Sequence, residues 1–387
     1  MLLSRDRILT THVGSLPRSR TLSDLLIRRE AGEAIDKAQL AAEIDKAVQD
    51  VVARQAAAGI DIGNDGEQPR VGFQTYVPQR MSGFGGESLR PRNRDLTEFP
   101  ELVEMQRLRF PSRGRSSNAP AAIGDVRYVD TGPVKEDVAR LKKVAQGKFA
   151  ECFMTAASPG IIATTLMNQH YANDEEYLAA LAREMAVEYR AIHDGGLILQ
   201  IDAPDLAMAR TINFQDKSDA EFVTICERHV AAINTGIAGI PRDRVRLHVC
   251  WGNWDGPHLF DIALAQVLPA FLQAHVGALS IEFANPRHAH EYGVLKRIPL
   301  PKDMILIPGV VESTCNFVEH PELVARRIEE AVAAVGDRER VIASTDCGFG
   351  TFAGREWVAN AVVWKKLEAL RAGADIASAR LWGKSAA

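Results

Sequence analysis

The sequence predicts a single (β/α)8 barrel of the TIM type spanning residues 1–387, with an inserted loop or hairpin excursion at about residues 71–118. Three observations predict it. From about Ala119 onward, short β-branched runs alternate with longer amphipathic stretches, which is the pattern of βα units on a parallel sheet. The clearest runs recur every 30 to 45 residues or so, the pitch of one strand plus one helix. No Gly-x-Gly-x-x-Gly follows any of them, which places a doubly wound dinucleotide-binding sheet second.

The elements follow in order. Ile8 to Ser15 and Ala58 to Asp65 read as the first two strands and flank a long helical region from about Asp36 to Ala57. Between Val71 and Asn118 the pattern breaks into Gly-, Pro- and Arg-rich sequence, MSGFGGESLRPRNRD and then RFPSRGRSSNAP. Its charges are read as facing water, with bordering a site as the alternative. Ala121 to Tyr128 and Phe149 to Ala156 are strand-like. The strongest strands are Gly196 to Asp202, Val245 to Cys250, Ala278 to Glu282, Ile305 to Val311 and Val341 to Asp346. Between them, Glu175 to His193, Asp219 to Ile237, Phe260 to Ala274 and Pro321 to Val335 read as helices, the last opening on Pro-Glu as a first helical turn prefers. Nine runs compete for eight barrel places, and Ala121 to Tyr128 is the one expected to lie outside.

Composition narrows the function. Hydrophobic residues at 46% and charged residues at 25% describe an ordinary globular chain and exclude disordered, collagen-like and disulfide-scaffold classes. A formal charge of -4 provides no basic field, so neither nucleic acid nor an anionic membrane surface is an expected partner. The opening MLLSRDRILTTHVGS has no apolar signal core, and no run is long enough to span a bilayer, which together imply a cytoplasmic location. Five cysteines, an odd number, read as reduced thiols or metal ligands rather than as a disulfide framework.

In barrel folds the active site is built at the carboxyl ends of the strands, so polar residues where apolar runs stop are the candidates. His248 and Cys250 close VRLHVC, Glu282 closes ALSIE, and Cys347 follows VIASTD. One residue separates His248 from Cys250, so an extended strand points both to the same face. Two thiolates, an imidazole and a carboxylate suit zinc, a borderline-soft ion. A His and a Cys on one strand are also common as packed core, and Cys315 in GVVESTC competes for a ligand position. Cys152 and Cys226 read as small buried hydrophobes.

A second set of residues surrounds the first. Asp202 and Asp205 lie in QIDAPDLAM, Glu67 in NDGEQPR and Ser15 in HVGSLPRS. Asp205 reads as a helix cap or solvated loop residue, whereas Glu67 and Asp202 suit a substrate bearing an ammonium group. Trp251 and Trp254 offer an apolar pocket wall. His12, His258, His288 and His290 lie near strand ends and read as satisfied surface or supporting histidines rather than as ligands.

Taken together, HVGSLPR, NDGEQPR, QIDAPDLAM, HVCWGNW, IEFANPRH and TDCGFGTF resemble the catalytic half of the cobalamin-independent methionine synthases and their short single-barrel relatives, over about Thr10 to Leu370. The resemblance implies a zinc site of His248, Cys250, Glu282 and Cys347 at the mouth of the barrel, and an amino-acid-thiol pocket of Ser15, Glu67 and Asp202. The sequence departs from the family in three ways. It opens directly on the catalytic barrel without the second barrel that helps bind folate polyglutamate. Ser313, Thr314 and Cys315 stand where full-length enzymes have Ile-His-Ser with a catalytic histidine, so the catalytic acid is not assigned. The family's Asp-Glu-Pro becomes Asp202, Ala203 and Pro204.

The resemblance therefore implies transfer of an alkyl group to a small-molecule thiol. The first expectation is methyl transfer to homocysteine, from methyltetrahydrofolate or from a methylcorrinoid carried on a corrinoid protein. The alternative is addition of a small organic thiol to an epoxide, as in the epoxyalkane:coenzyme M transferases, with Arg18, Arg20 or the basic excursion reading an anionic thiol. A third expectation is a non-catalytic barrel with a structural zinc.

Overall fold

The computed structural model describes residues 1–110 and 119–383. The stretch 111–118 of the excursion lies outside them. Eight parallel strands form the barrel: β1 (Leu9–Thr10), β2 (Ile62–Gly63), β5 (Glu151–Ala157), β6 (Ile198–Asp202), β7 (Val245–Val249), β8 (Ala278–Ile281), β9 (Ile305–Val311) and β10 (Ile342–Thr345), with β3 (Met81–Gly85) and β4 (Ala121–Tyr128) in a separate antiparallel pair. Around the barrel the order is β1, β10, β9, β8, β7, β6, β5, β2, and a parallel bridge between Thr11 and Ile62 joins the two ends. Ala121–Tyr128 is thus the run outside the barrel, as the sequence suggests.

Alternation along the strands builds the layers. On β6 and β7, Leu199, Ile201, Leu247 and Val249 face outward into the core shared with the helices. The residues between them face inward, in the register Gln200 beside Arg246 and Asp202 beside His248. The interior is apolar at its amino-terminal end, where Ile198, Ala278, Ile305 and Ile342 pack around Phe153. Above them sits a polar layer. Arg246 lies over the Phe153 ring at 3.5 Å from its centroid and donates to Gln200 Oε1 (2.6 Å) and the His12 carbonyl (2.9 Å).

The first two strands are much shorter than the sequence suggests, because side chains replace ladder partners there. Thr10 N donates to Asp61 (2.9 Å), Ile8 N to Ser378 Oγ (2.9 Å) and Asn64 N to Gln55 Oε1 (3.0 Å). The helix expected from Phe260 to Ala274 covers only Leu264–Phe271, its start set by the Glu291 carboxylate on Leu264 N (2.7 Å). Other helices match closely. Asp219–Gly236 opens on a capping box of Ser218 and Glu221, and Lys37–Ala57 on the Asp36 cap.

The excursion is a cover over the carboxyl ends of the barrel strands. Its hairpin, β3 with β4, stands beside the barrel, and residues 88–109 cross the mouth. Ser88 Oγ donates to the Thr165 carbonyl (2.8 Å) beyond β5. Asn93 Nδ2 reaches Thr211 Oγ1 (3.1 Å) beyond β6, and Asp95 accepts from Leu259 N (3.1 Å) beyond β7. Its arginines do not simply face water. Arg94 stacks on Phe260 at 4.0 Å, and Arg109 pairs with Asp255 (2.7 Å) while donating to the Trp357 carbonyl (2.7 Å). Among the described residues no helix is long and apolar enough to cross a membrane.

Candidate metal centre and substrate cavity

Three strand-end side chains converge. His248 is the last inward-facing residue of β7, Cys250 follows the strand, and Cys347 lies just beyond β10. One ligand atom from each falls within 4.8 Å of the others, all three residues are buried, and His248 Nε2 is 3.6 Å from Cys347 Sγ. Cys250 is held below the usual thiol range by its hydrogen bond to Cys347, against the opposing effect of burial. That same bond, with burial and the negative charge of Cys250, holds Cys347 well above it. The His248 imidazole is lowered by burial, opposed by Asp202. One nitrogen and two sulfurs, buried and turned toward each other, are a donor set that fits a borderline-soft divalent ion.

Glu282 stands beside the trio rather than within it. Its Oε1 accepts from Trp251 N (2.6 Å) and its Oε2 from Asn285 Nδ2 (3.2 Å). Burial, then the charge on Cys250, pushes its carboxyl well above the ordinary range. Asp346, which sequence reasoning passed over, positions this corner. It accepts from the amides of Phe283 (2.9 Å), Ala284 (2.8 Å) and Asn285 (2.8 Å), tying the loop after β8 to the residue before Cys347. The close approach needs Gly309, where an added Cβ would lie 2.0 Å from Asp346 Oδ1.

A cavity of about 580 Å³ opens above the trio, and Ser15, Glu67 and Asp202 line it together with His248, Cys250 and Cys347. Glu67 has φ 55, a left-handed conformation that a non-glycine residue adopts at a cost. Its Oε1 accepts from Thr155 Oγ1 (2.9 Å), while Oε2 is buried without a hydrogen-bond partner among the described residues. Burial raises its carboxyl, opposed by Arg70 and Arg18. Asp202 accepts from Gln200 Nε2 (2.6 Å) and is pushed up to about 7, chiefly by burial.

Several expectations need correction here. Trp254 lines the cavity but Trp251 does not: it is buried, donates to the Ile262 carbonyl (2.6 Å) and packs on His288 at 4.2 Å. Asp205 is a buried partner of Ser158 (2.6 Å) and His229 (2.8 Å), not a solvated cap. Cys315 lies away from the trio, 3.9 Å from Lys366, and Thr314 is bound to Glu312; neither lines the cavity. Arg18 spends both terminal nitrogens on the carbonyls of Gly350 and Glu67 (2.5 and 2.6 Å), and Arg20 is exposed at a helix start. Cys226 is buried, but Cys152 is only partly so. The histidines agree with the expectation: His258 and His288 share Asp261, at 2.8 and 3.2 Å, and His290 is a surface residue.

The geometry can be set beside known proteins. The chain is 25% identical over 366 residues to the 2-hydroxypropyl-CoM lyase of Xanthobacter autotrophicus, covering 88% of each chain. It is 26% identical over 341 residues to a methionine synthase of Thermococcus kodakarensis, covering 88% of this chain and 86% of that one. The fold matches a solved B12-independent methionine synthase from Shewanella sp. W3-18-1 in complex with selenomethionine, with TM-score 0.73, 21% identity, and coverage of 99% and 100%. Residues 112–367, most of the barrel, match the family model described as cobalamin-independent synthase, catalytic domain. A closed parallel barrel with a His-Cys-Cys cluster at its mouth and this match over most of its length place the chain in the cobalamin-independent methionine synthase catalytic-domain family.

Proposed function

We propose that the protein is a zinc-dependent thiol alkyltransferase that methylates homocysteine to methionine, with methyltetrahydrofolate or a methylcorrinoid as donor. One observation carries this reading: the His248, Cys250 and Cys347 trio shares a cavity with two buried carboxylates, Glu67 and Asp202. The trio would hold the ion, with Glu282 as the adjacent oxygen donor. Bound there, zinc supplies a thiolate at neutral pH, where a free thiol of pKa about 8.5 is mostly protonated.

The chain's own side chains select the substrate. Two carboxylates buried at one cavity are costly as charges, and an ammonium group between them offsets that cost. Glu67 Oε2 has no hydrogen-bond partner among the described residues and can accept from it. Trp254 and Phe352 supply apolar wall. Five free cysteines fit a reducing, cytoplasmic site of action.

A second reading, addition of a small organic thiol to an epoxide, is favoured by Arg90, which lines the cavity and has no acidic partner among the described residues. A sulfonate thiol has an anion for it to hold and no ammonium for Glu67 and Asp202. Zinc-edge X-ray absorption before and after adding homocysteine tests the first reading. A rise from about two to about three sulfur neighbours is expected. An unchanged shell with homocysteine but a third sulfur with 2-mercaptoethanesulfonate would favour the second, and a shell that ignores every thiol would leave a structural zinc.

A further inference from the structure

Arg90 lies on the cover, and its side chain lines the cavity above the trio. Its Nε and Nη2 are shielded from solvent and have no hydrogen-bond partner among the described residues. Burial pulls its guanidinium down to about 10, so it stays charged at neutral pH. The neighbouring arginines differ. Arg70 donates to the Thr155 carbonyl (2.8 Å) and is acted on by Glu67 and Glu188, and Arg18 is consumed by main-chain carbonyls.

The backbone around Arg90 is held on both sides. Ser88 is fastened to Thr165 (2.8 Å), and the Arg92 carbonyl accepts from Gln215 Nε2 (2.6 Å). A fixed, half-buried cation with two shielded and unpartnered nitrogens lowers stability unless a ligand supplies the counter-charge. We propose that Arg90 is the anion-recognising residue of this cavity, pairing with a carboxylate or sulfonate on the molecule that fills it. The planar guanidinium suits a two-point contact with either acid. The acid arrives on the thiol or on the alkyl donor, and only that link to a reaction rests on the alkyltransferase reading.

The test is isothermal titration calorimetry on the metal-loaded protein, Arg90→Gln and Arg90→Lys. One arm uses thiols: homocysteine and 2-mercaptoethanesulfonate, with uncharged 2-mercaptoethanol as control. A second uses 5-methyltetrahydrofolate, and a third uses ethanesulfonate, which has no thiol. Arg90→Gln is expected to weaken the anionic probes of the thiol or the donor arm by about ten- to a hundredfold and to leave 2-mercaptoethanol unchanged. Arg90→Lys should lose only part of that. The affected arm identifies the molecule that carries the acid. Unaltered affinity for every anionic probe, or no binding of any of them to the unsubstituted protein, overturns the proposal. If no thiol binds but ethanesulfonate does and weakens in Arg90→Gln, the anion site stands and the alkyltransferase reading falls. Without ligand, Arg90→Gln should raise Tm, because an unpaired charge is removed; a fall would mark a structural role and count against the proposal.

Discussion

His248 and Cys347 stand 99 positions apart in the chain and 3.6 Å apart in space, so each is useful only because the barrel closes. Cys250→Ala or Cys347→Ala is expected to reduce bound metal toward zero and to lower activity by more than about a hundredfold, read by elemental analysis and turnover. Glu282→Gln keeps an oxygen acceptor for Trp251 N, so the fold should survive. A metal affinity weakened by about ten- to a hundredfold would assign Glu282 as a ligand, and an unchanged one would remove it from the set. His12 gives a pH signature of a different kind. Burial lowers its imidazole to about 4, below the ordinary 6.5, despite the bond to Gln55 (2.8 Å). Between those two values the unfolded chain binds a proton that the folded chain refuses, so stability falls as pH drops through the window. Urea denaturation at pH 7 and pH 4.5 should show about 2 kcal/mol of this fall in the native protein and none of it in His12→Asn. The strand-end residues were legible in the sequence, because VRLHVC and VIASTD stop on reactive side chains. Arg90 was not, since what marks it is two buried nitrogens without a partner among the described residues, which only three dimensions reveal.

At the scale of elements, the corner that joins β8, β9 and β10 depends on one missing side chain. Gly309→Ala would drive a methyl group into Asp346, which holds three amides of the loop after β8. Overpacking of this kind costs about 1–3 kcal/mol. Thermal melting should show that loss together with weaker metal retention, whereas a stable variant with normal metal content would deny the corner its role. Strand positions in the second half of the chain could be read closely because β-branched runs are bounded there by strong helices. β1 and β2 could not, because Asp61, Ser378 and Gln55 replace the ladder from distant or helical positions. The pattern at Phe260 likewise suggested a helix, and the chain instead runs as loop up to Leu264, where Glu291 caps the helix.

For the molecule as a whole, the floor of the cavity comes from strand ends and its roof from one continuous excursion. Asp95→Ala releases the roof from Leu259, and the expected result is a several-fold rise in KM with the metal content unaffected. A KM unaltered by this change would separate the roof from substrate binding. The barrel itself was readable from its rhythm, but the roof was not, because Gly-, Pro- and Arg-rich sequence carries no periodicity to say what it covers. The closure of the barrel has a further consequence, for the timing of synthesis. β1 at Leu9–Thr10 pairs with β10 at Ile342–Thr345, so of the eight barrel strands the first to be synthesised waits for the last. A nascent chain that has not reached Cys347 holds an open sheet and an incomplete set of ligands. Loading of an ion at the trio would thereby be deferred until synthesis has passed Cys347, and a product terminated before that residue would lack the third donor.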